Sequence, residues 1–242
     1  MRALYLICLS LCGMNSMASE INICAEDAWP PHSYAQNNKA VGSSIELIQD
    51  AYKNSRYTLK FTSASYHRCL KMTQSGNFSA MINVALTQER RPQFLWPNTP
   101  LLSIKLLLIG RDTAQKPSYD VLRGKRIGVT LGYEYPDALQ ADPSIMQIVS
   151  NTELNSLRQL SLGRVDYILL SESSWANLRP QLSAAEQSKL KNLGVIDQLA
   201  IYLAFNRDHP EAAQWAAEFD EGMRAISAKR PQPSPTTSHR HN

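Results

Sequence analysis

The chain has 242 residues, 43% of them hydrophobic and 19% charged, which is enough for one globular domain or two small ones. Its formal net charge is +4, but Arg2 and three residues near the C-terminus, Lys229, Arg230 and Arg240, account for the whole excess. The rest of the chain is balanced in charge and lacks the basic surface that nucleic-acid binding requires, so we expect no nucleic acid among its partners.

Residues 1–18 predict a secretory signal peptide. Arg2 supplies the positive charge, residues 3–14 the apolar run, and residues 16–18 a small-x-small cleavage site. The apolar run of about 12 residues is too short to span a hydrocarbon core of roughly 30 Å. We therefore expect a protein that is exported to the periplasm and loses this segment.

Two cysteines, Cys24 and Cys69, remain after the predicted cleavage, because Cys8 and Cys12 lie in the signal peptide. An oxidising compartment favours one disulfide between them. Cys24 ends the first predicted strand and Cys69 lies one turn into the helix after the second, so both belong to the same edge of adjacent elements. Two buried free thiols are the alternative.

Residues 20–84 alternate between strand-like and helix-like patterns. Strands are predicted at residues 21–24, 57–61 and 79–84 from their alternating or continuous apolar residues. A helix begins at a capping-box-like sequence from Ser43, and another covers residues 66–75 and ends before Gly76. This part of the chain therefore has the order β-α-β-α-β.

The same order recurs over residues 124–170, with a turn at Gly132 and a helix that ends before Gly163. The strands of this unit are predicted at residues 126–130, 146–149 and 165–170, and its helices at 135–139 and 152–162. A last strand at 199–205 and a helix after Pro210 complete the chain. Alternating β and α elements predict parallel sheets that are covered by helices, here in two units.

Ligands of open α/β sheets bind beyond the carboxyl ends of the strands, and this rule selects candidate site residues. After the strands of the first unit come Glu26, Asp27, Trp29, Tyr66 and residues 83–90. After those of the second unit come Gly132, Tyr133, Asn151, Thr152, Ser171 and Glu172. In residues 83–90, Arg90 ends a polar turn between two apolar segments, and its guanidinium is suited to a carboxylate or phosphate. An ordinary solvated arginine is the alternative.

Several short motifs occur in an order that resembles the family 3 extracellular solute-binding proteins, the periplasmic receptors of polar amino-acid uptake. They are residues 27–31, 76–80, 87–90, 122–129 and 163–166. The resemblance implies the α/β periplasmic-binding-protein type II fold, with two parallel-sheet lobes and two crossover strands near residues 101–107 and 195–199. Lobe 1 would comprise residues 19–102 and 199–228, and lobe 2 residues 108–194. Residues 229–242 are rich in Pro, Ser and Thr, and we expect them to be disordered.

The resemblance also implies roles for individual residues. Arg90, in the Thr-x-x-Arg motif that starts at Thr87, would bind the α-carboxylate of an amino acid, and Trp29 and Tyr66 would enclose its side chain. The family's ammonium-binding acid is replaced by Ser171 with Glu172 beside it, so either Glu172 substitutes or the ligand lacks an α-ammonium. The predicted ligand-binding residues are Asp27, Trp29, Tyr66, Asn83, Thr87, Arg90, Tyr133, Ser171 and Glu172.

These features predict a monomeric binding protein that delivers a small polar solute, an amino acid or another small carboxylate, to an ABC-type permease. We expect no cofactor and no metal, since the spacing of Cys24, His32, His67 and Cys69 lacks a close ligand pair. One alternative is an enzyme on the same scaffold that resembles cyclohexadienyl dehydratases, with Glu26, Asp27 or Glu172 as its acid or base. Another is a ligand sensor for a membrane partner.

Overall fold

The structure, a computed structural model, describes residues 19–112 and 115–229. The predicted signal peptide and residues 230–242 of the predicted tail lie outside the described residues, whereas Lys229 is the last residue of a helix. Within the described ranges, none of the helices has the length and apolar character needed to cross a membrane.

Strands and helices alternate along the described chain. The strands are β1 (Glu20–Glu26), β2 (Ala28–Trp29), β3 (Ser33–Gln36), β4 (Lys39–Val41), β5 (Thr58–Ala64), β6 (Ala80–Ala85), β7 (Phe94–Leu95), β8 (Leu102–Gly110), β9 (Arg126–Thr130), β10 (Met146–Ser150), β11 (Tyr167–Ser171) and β12 (Lys191–Asn206). The helices are α1 (Ser43–Tyr52), α2 (Tyr66–Gln74), α3 (Asp137–Ala141), α4 (Glu153–Ser161), α5 (Glu172–Leu178), α6 (Ala184–Lys189) and α7 (Ala212–Lys229), with 3-10 turns at Tyr119–Leu122 and Arg179–Gln181.

The main sheet is mixed and follows the order β10-β9-β11-β8-β12-β6-β1-β5, with β7 paired to β12. At one end β1 is parallel to β5 and β6, and at the other β9 is parallel to β10 and β11. We call the first group and its helices α1, α2 and α7 lobe 1, and the second group with α3 to α6 lobe 2. The predicted two-lobed α/β fold is confirmed.

Two long strands, β8 and β12, connect the lobes. They pair antiparallel with each other, while β12 also pairs with β6 of lobe 1 and β8 with β11 of lobe 2. The sequence predicted a crossing at residues 195–199 and a separate strand at 199–205, but both belong to the single 16-residue strand β12. Irregular pairing at two places along β8 lets β12 continue without a break.

The helix predicted at residues 135–139 was misplaced, because α3 begins only at Asp137. Pro136 is its N-cap residue, and a residue that precedes proline, here Tyr135, is disfavoured in helical conformation. Tyr135 instead inserts into the core of lobe 2, where it is 6% exposed. The segment between β9 and α3 is thus an ordered loop, and it faces lobe 1.

Each lobe has its own core. In lobe 1 the apolar face of α7, with Trp215, Phe219 and Met223, packs against α1 and the strands β1 and β6. In lobe 2 apolar side chains of β8, β9 and β11 pack against α3 on one face of the sheet and against α4 on the other. Burying these faces separately leaves the carboxyl ends of the parallel strands of both lobes free to line the space between them.

Candidate functional site

A cavity of about 60 Å³ lies where the carboxyl ends of β1, β6 and β11 and the loop after β9 meet. It is enclosed by aromatic and acidic side chains from both lobes and by apolar residues of β8 and β12. Its lining residues are Glu26, Trp29, Tyr66, Asn83, Ala85, Ile104, Leu106, Tyr133, Glu134, Tyr135, Glu153, Leu169, Ser171, Leu199 and Ile201. Ligand sites usually measure 300–1,000 Å³, so this inner cavity is smaller than a usual ligand site.

Aromatic side chains form the walls of this cavity. Trp29 follows β1 and is 6% exposed, and its indole Nε1 donates to Ser174 Oγ at 3.0 Å and to Ser171 Oγ at 3.3 Å across the cleft. Tyr66 opens α2 and meets Tyr133 of lobe 2 edge to face, with ring centroids 5.1 Å apart. Trp29 and Tyr66 therefore both line the cavity, in contact with lobe 2, and Tyr133 adds a third wall.

Arg90 is held in the turn after β6 with its side chain 11% exposed. Its backbone N–H donates to Thr87 Oγ1 at 3.2 Å, so the buried Thr87 shapes the turn and does not line the cavity. The guanidinium donates through Nε to Glu134 Oε1 of lobe 2 at 2.7 Å and through Nη1 to the exposed Glu89 at 2.8 Å. The fork that we expected to hold a ligand carboxylate thus contacts a carboxylate of the protein itself.

Glu134 is the residue that joins the two lobes at this point, and its side chain is only 5% exposed. Its second carboxylate oxygen accepts a hydrogen bond from the Tyr66 hydroxyl. Burial raises the pKa of Glu134, while the hydrogen bonds from Tyr66 and Arg90 act in the opposite direction. Glu134 was not among the residues predicted from the sequence, although its neighbour Tyr133 follows the same strand end and was.

Two further carboxyl groups, of Glu26 and Glu153, line the cavity, whereas Arg90 does not. Glu26 ends β1, is 4% exposed and accepts a hydrogen bond of 2.5 Å from the Tyr133 hydroxyl. Burial raises its pKa to about 8, against the lowering effect of that hydrogen bond. Glu153, in the first turn of α4, accepts from Ser174 Oγ at 2.8 Å, and burial raises its pKa to about 7. Within the described part of the chain, neither carboxyl forms an ion pair.

Glu153 was not selected from the sequence, and Glu26 was considered only as a strand-end residue and a possible enzymatic acid.

Two acids that were predicted to bind the ligand, Asp27 and Glu172, do not line the inner cavity. Asp27 is outside the cavity, in the wider cleft beside it, and Glu172 is exposed as the first residue of α5. Ser171 does line the cavity, and its hydroxyl accepts from Ser174 N as the N-cap of α5. Glu153 thus lines the same cavity as Ser171, whereas Glu172 does not.

Asn83 combines an unusual backbone with an unpaired donor. It lies within β6 with φ of +67°, and its Oδ1 accepts from Ser44 Oγ at 2.8 Å. Its side-chain Nδ2 is buried without a hydrogen-bond partner. Unpaired buried donors are rare in folded proteins, and strained backbone concentrates at ligand sites. Asn83 therefore offers a donor to an acceptor group placed in the cavity.

A second, wider part of the cleft, of about 530 Å³, lies outside the first. Glu26, Tyr66, Tyr133 and Glu153 line both, so the Tyr133–Glu26 hydrogen bond stands between the inner cavity and the outer cleft. Asn151 and Thr152, which the strand-end rule also selected, line the outer part.

The predicted disulfide between Cys24 and Cys69 is confirmed, with 5.4 Å between their Cα atoms. It joins β1, two residues before Glu26, to α2, three residues after Tyr66. In the described ranges, no group of three or more His, Cys, Asp or Glu side chains could hold a metal ion.

Comparison with known proteins places the chain among receptors. The model of the bacterial extracellular solute-binding proteins, family 3, matches residues 21–230. The ABC transporter arginine-binding protein 1 of Escherichia coli (strain K12) is 26% identical over 178 residues, which are 71% of this chain and 72% of that protein. The probable amino-acid-binding protein YxeM of Bacillus subtilis (strain 168) is 24% identical over 68% of this chain and 66% of its own length. An ancestral arginine-binding protein bound to arginine shares the fold, with a TM-score of 0.69 at 19% identity over 88% of this chain and 94% of that one.

Proposed function

This chain belongs to family 3 of the bacterial extracellular solute-binding proteins, and we propose that it binds a small cationic amino acid between its lobes. We further propose that it does so in the periplasm and delivers the solute to an ABC-type permease. It is a binding protein and not an enzyme, because its named relatives are binding proteins for amino acids. The dehydratase alternative is therefore dropped, while a sensory role would use the same binding step.

The cationic character of the solute is inferred from one observation: the inner cavity contains the carboxyl groups of Glu26 and Glu153, and no described basic side chain pairs with either. Ionised carboxylates are costly to bury without a counter-charge, and here burial raises both pKa values. A bound ammonium or guanidinium would supply the missing charge. The faces of Trp29 and Tyr133 around it would add cation–π attraction.

The carboxylate of the amino acid would bind at the other end, where Arg90 and Asn83 offer donors. Arg90 presents a guanidinium suited to a two-point contact with a carboxylate, and Asn83 has a buried Nδ2 that lacks an acceptor. The cavity of about 60 Å³ is too small for such a solute, so binding requires the lobes to separate and close again around it. Two of the relatives are named for arginine and histidine, which carry both groups.

A thermal-shift comparison of three related solutes tests this proposal on the mature protein after bound solute has been removed. L-Arginine has both charged ends, L-citrulline lacks the side-chain cation, and agmatine lacks the carboxylate. A solute at a hundred times its dissociation constant should stabilise the protein by about 2.7 kcal/mol. We expect the largest shift with L-arginine, L-lysine or L-histidine. Equal shifts with L-citrulline or L-glutamate would contradict the cationic assignment.

Delivery to a permease is tested separately, in cells. We expect uptake of the radiolabelled solute to fall when the gene is deleted, and to return when the wild-type protein, but not a variant that has lost binding, is supplied. Unchanged uptake in the deletion strain, with solute binding intact in the purified protein, would favour the sensory alternative.

A further inference from the structure

We infer that Glu134 is a built-in carboxylate that takes the place of the solute's carboxylate on Arg90, so that it holds the two lobes together and competes with the solute. This inference rests on the proposed function for the identity of the competing group. Its structural basis is independent of that function. Glu134 belongs to lobe 2, Arg90 and Tyr66 belong to lobe 1, and both lobe 1 side chains donate to the carboxylate of Glu134.

The loop that carries Glu134 is fixed at both sides, which keeps its side chain directed across the cleft. On one side Gly132, with φ of +82°, turns the chain after β9, and Tyr133 N donates to Thr130 O at 3.1 Å. On the other side the hydroxyl of the buried Tyr135 accepts from Thr130 N at 2.9 Å. Glu134 is thus held between two anchored tyrosines and moves toward or away from Arg90 mainly when the lobes move.

Glu134 lies between Arg90 and the cavity. Its side chain is 5% exposed and lines the cavity of about 60 Å³, whereas the Arg90 side chain is 11% exposed and does not line it. A solute carboxylate that reaches the Arg90 fork has to displace Glu134 first. The exposed Glu89, which contacts the same guanidinium at 2.8 Å, is different because it belongs to the same lobe and does not bridge the cleft.

Other described contacts support closure, but none of them is an ion pair. The Tyr133 hydroxyl of lobe 2 donates to the buried carboxyl of Glu26 in lobe 1. Trp29 Nε1 donates to Ser174, and the backbone N–H of the exposed Gln88 donates to Asp137 at 3.2 Å. The Arg90–Glu134 pair is a buried ion pair. If it biases the lobes toward the closed state, only the open fraction of the protein admits solute, and the apparent affinity is lower by that fraction.

The test compares Glu134→Ala and Glu134→Gln with the wild-type mature protein and with Glu89→Gln. The glutamine variant keeps the side-chain volume in case alanine impairs folding, and Glu89→Gln removes a carboxylate from Arg90 without removing a contact between the lobes. Each protein is unfolded and refolded with its disulfide intact to remove bound solute. The radius of gyration is then measured by X-ray scattering without solute, and the affinity for L-arginine by calorimetry.

We expect a larger radius of gyration for the Glu134 variants in the absence of solute, and a wild-type radius for Glu89→Gln. If the open state is populated at about one part in ten, the affinity of the Glu134 variants for L-arginine should rise about tenfold. An unchanged radius in both Glu134 variants would overturn the inference, as would a gain in affinity that Glu89→Gln reproduces. Failure of every protein to bind L-arginine would count against the proposed ligand, while the solute-free radii would still decide whether Glu134 closes the cleft.

Discussion

The two ends of the interlobe cleft differ in whether their charged side chains have a partner of opposite charge. At one end Arg90 is neutralised from across the cleft by Glu134, and both side chains are nearly inaccessible. At the other end, within the described residues, the carboxyls of Glu26 and Glu153 accept hydrogen bonds only from the hydroxyls of Tyr133 and Ser174. The first end is electrostatically complete without a ligand, whereas the second end has negative charge in excess whenever its carboxyls ionise.

This difference assigns two properties, the closure of the lobes and the preference for a solute, to different ends of the cleft. On the inference above, the Arg90 end favours closure of the lobes, because its ion pair links them. On the proposed function, the Glu26 and Glu153 end sets the preference for a cationic solute, because a cation supplies the charge that is missing there when the carboxyls ionise. A solute with a carboxylate and a cationic group would replace Glu134 at the first end and satisfy the carboxyls at the second.

The largest effect should come from removing the disulfide, because it connects the wall with Glu26 to the wall with Tyr66 and therefore supports both ends. Cys24 and Cys69 are 45 residues apart, and the loss of a crosslink over this length should lower the free energy of unfolding by about 4 kcal/mol. Urea denaturation of the protein with Cys24→Ala and Cys69→Ala measures this. A decrease below about 1 kcal/mol would mean that packing alone holds the two walls.

Substitution of Arg90 should break the carboxylate end alone. Arg90→Ala should cost about 2 to 5 kcal/mol of binding free energy for a carboxylate solute, because a buried anion loses its partner. Arg90→Lys should restore the affinity only in part, since a point charge cannot make the two-point contact. The exposed Arg91→Ala is the control and should change the affinity by less than about 1 kcal/mol. Calorimetry decides, and equal losses at both positions would show that the solute does not depend on the Arg90 fork.

Substitution of Glu26 should affect the cation end alone. Glu26→Gln should weaken the binding of L-arginine by about 1.5 to 3 kcal/mol, the range for a hydrogen bond to a charged group, and should leave L-citrulline less affected. Glu20→Gln is the matched control, because Glu20 lies at the exposed start of the same strand. An equal loss for both solutes would indicate that Glu26 only positions Tyr133.

As pH rises, the stability of the solute-free protein and its affinity for L-arginine should change in opposite directions. Folding raises the pKa of Glu26 from 4.5 to about 8, so the native state binds more protons than the unfolded state between these values. The stability of the solute-free protein should therefore decrease as pH rises from about 4.5 to 8, and Glu26→Gln should flatten this decrease. Affinity for L-arginine should increase over the upper part of the range, by at most about tenfold per pH unit for each proton released. Melting and calorimetry at several pH values test both signs.

Local sequence patterns determined much of the architecture. Alternating apolar residues predicted the strands β1, β5, β6, β9 and β11, and helix stop signals at Gly76 and Gly163 predicted where α2 and α4 end. These signals are local, since strand pleating and helix termination depend on residues a few positions apart. The pairing of Cys24 with Cys69 could also be predicted, because only these two cysteines remain after the predicted cleavage and an oxidising compartment favours a disulfide. Tyr135, by contrast, was assigned to a helix although the following proline favours extended backbone.

The tertiary structure alone decided which charges face each other in the cleft. Glu134 meets Arg90 across a separation of 44 residues, and Glu153 reaches the cavity from the first turn of a helix in the other lobe. Neighbouring acids, Asp27 and Glu172, are turned out of the inner cavity. No periodicity in the sequence distinguishes these two groups of acids, because side-chain direction at a strand end or helix start depends on how the lobes pack. The sequence thus determined at which strand ends a site could form, and the packing of the two lobes decided which charged side chains line it.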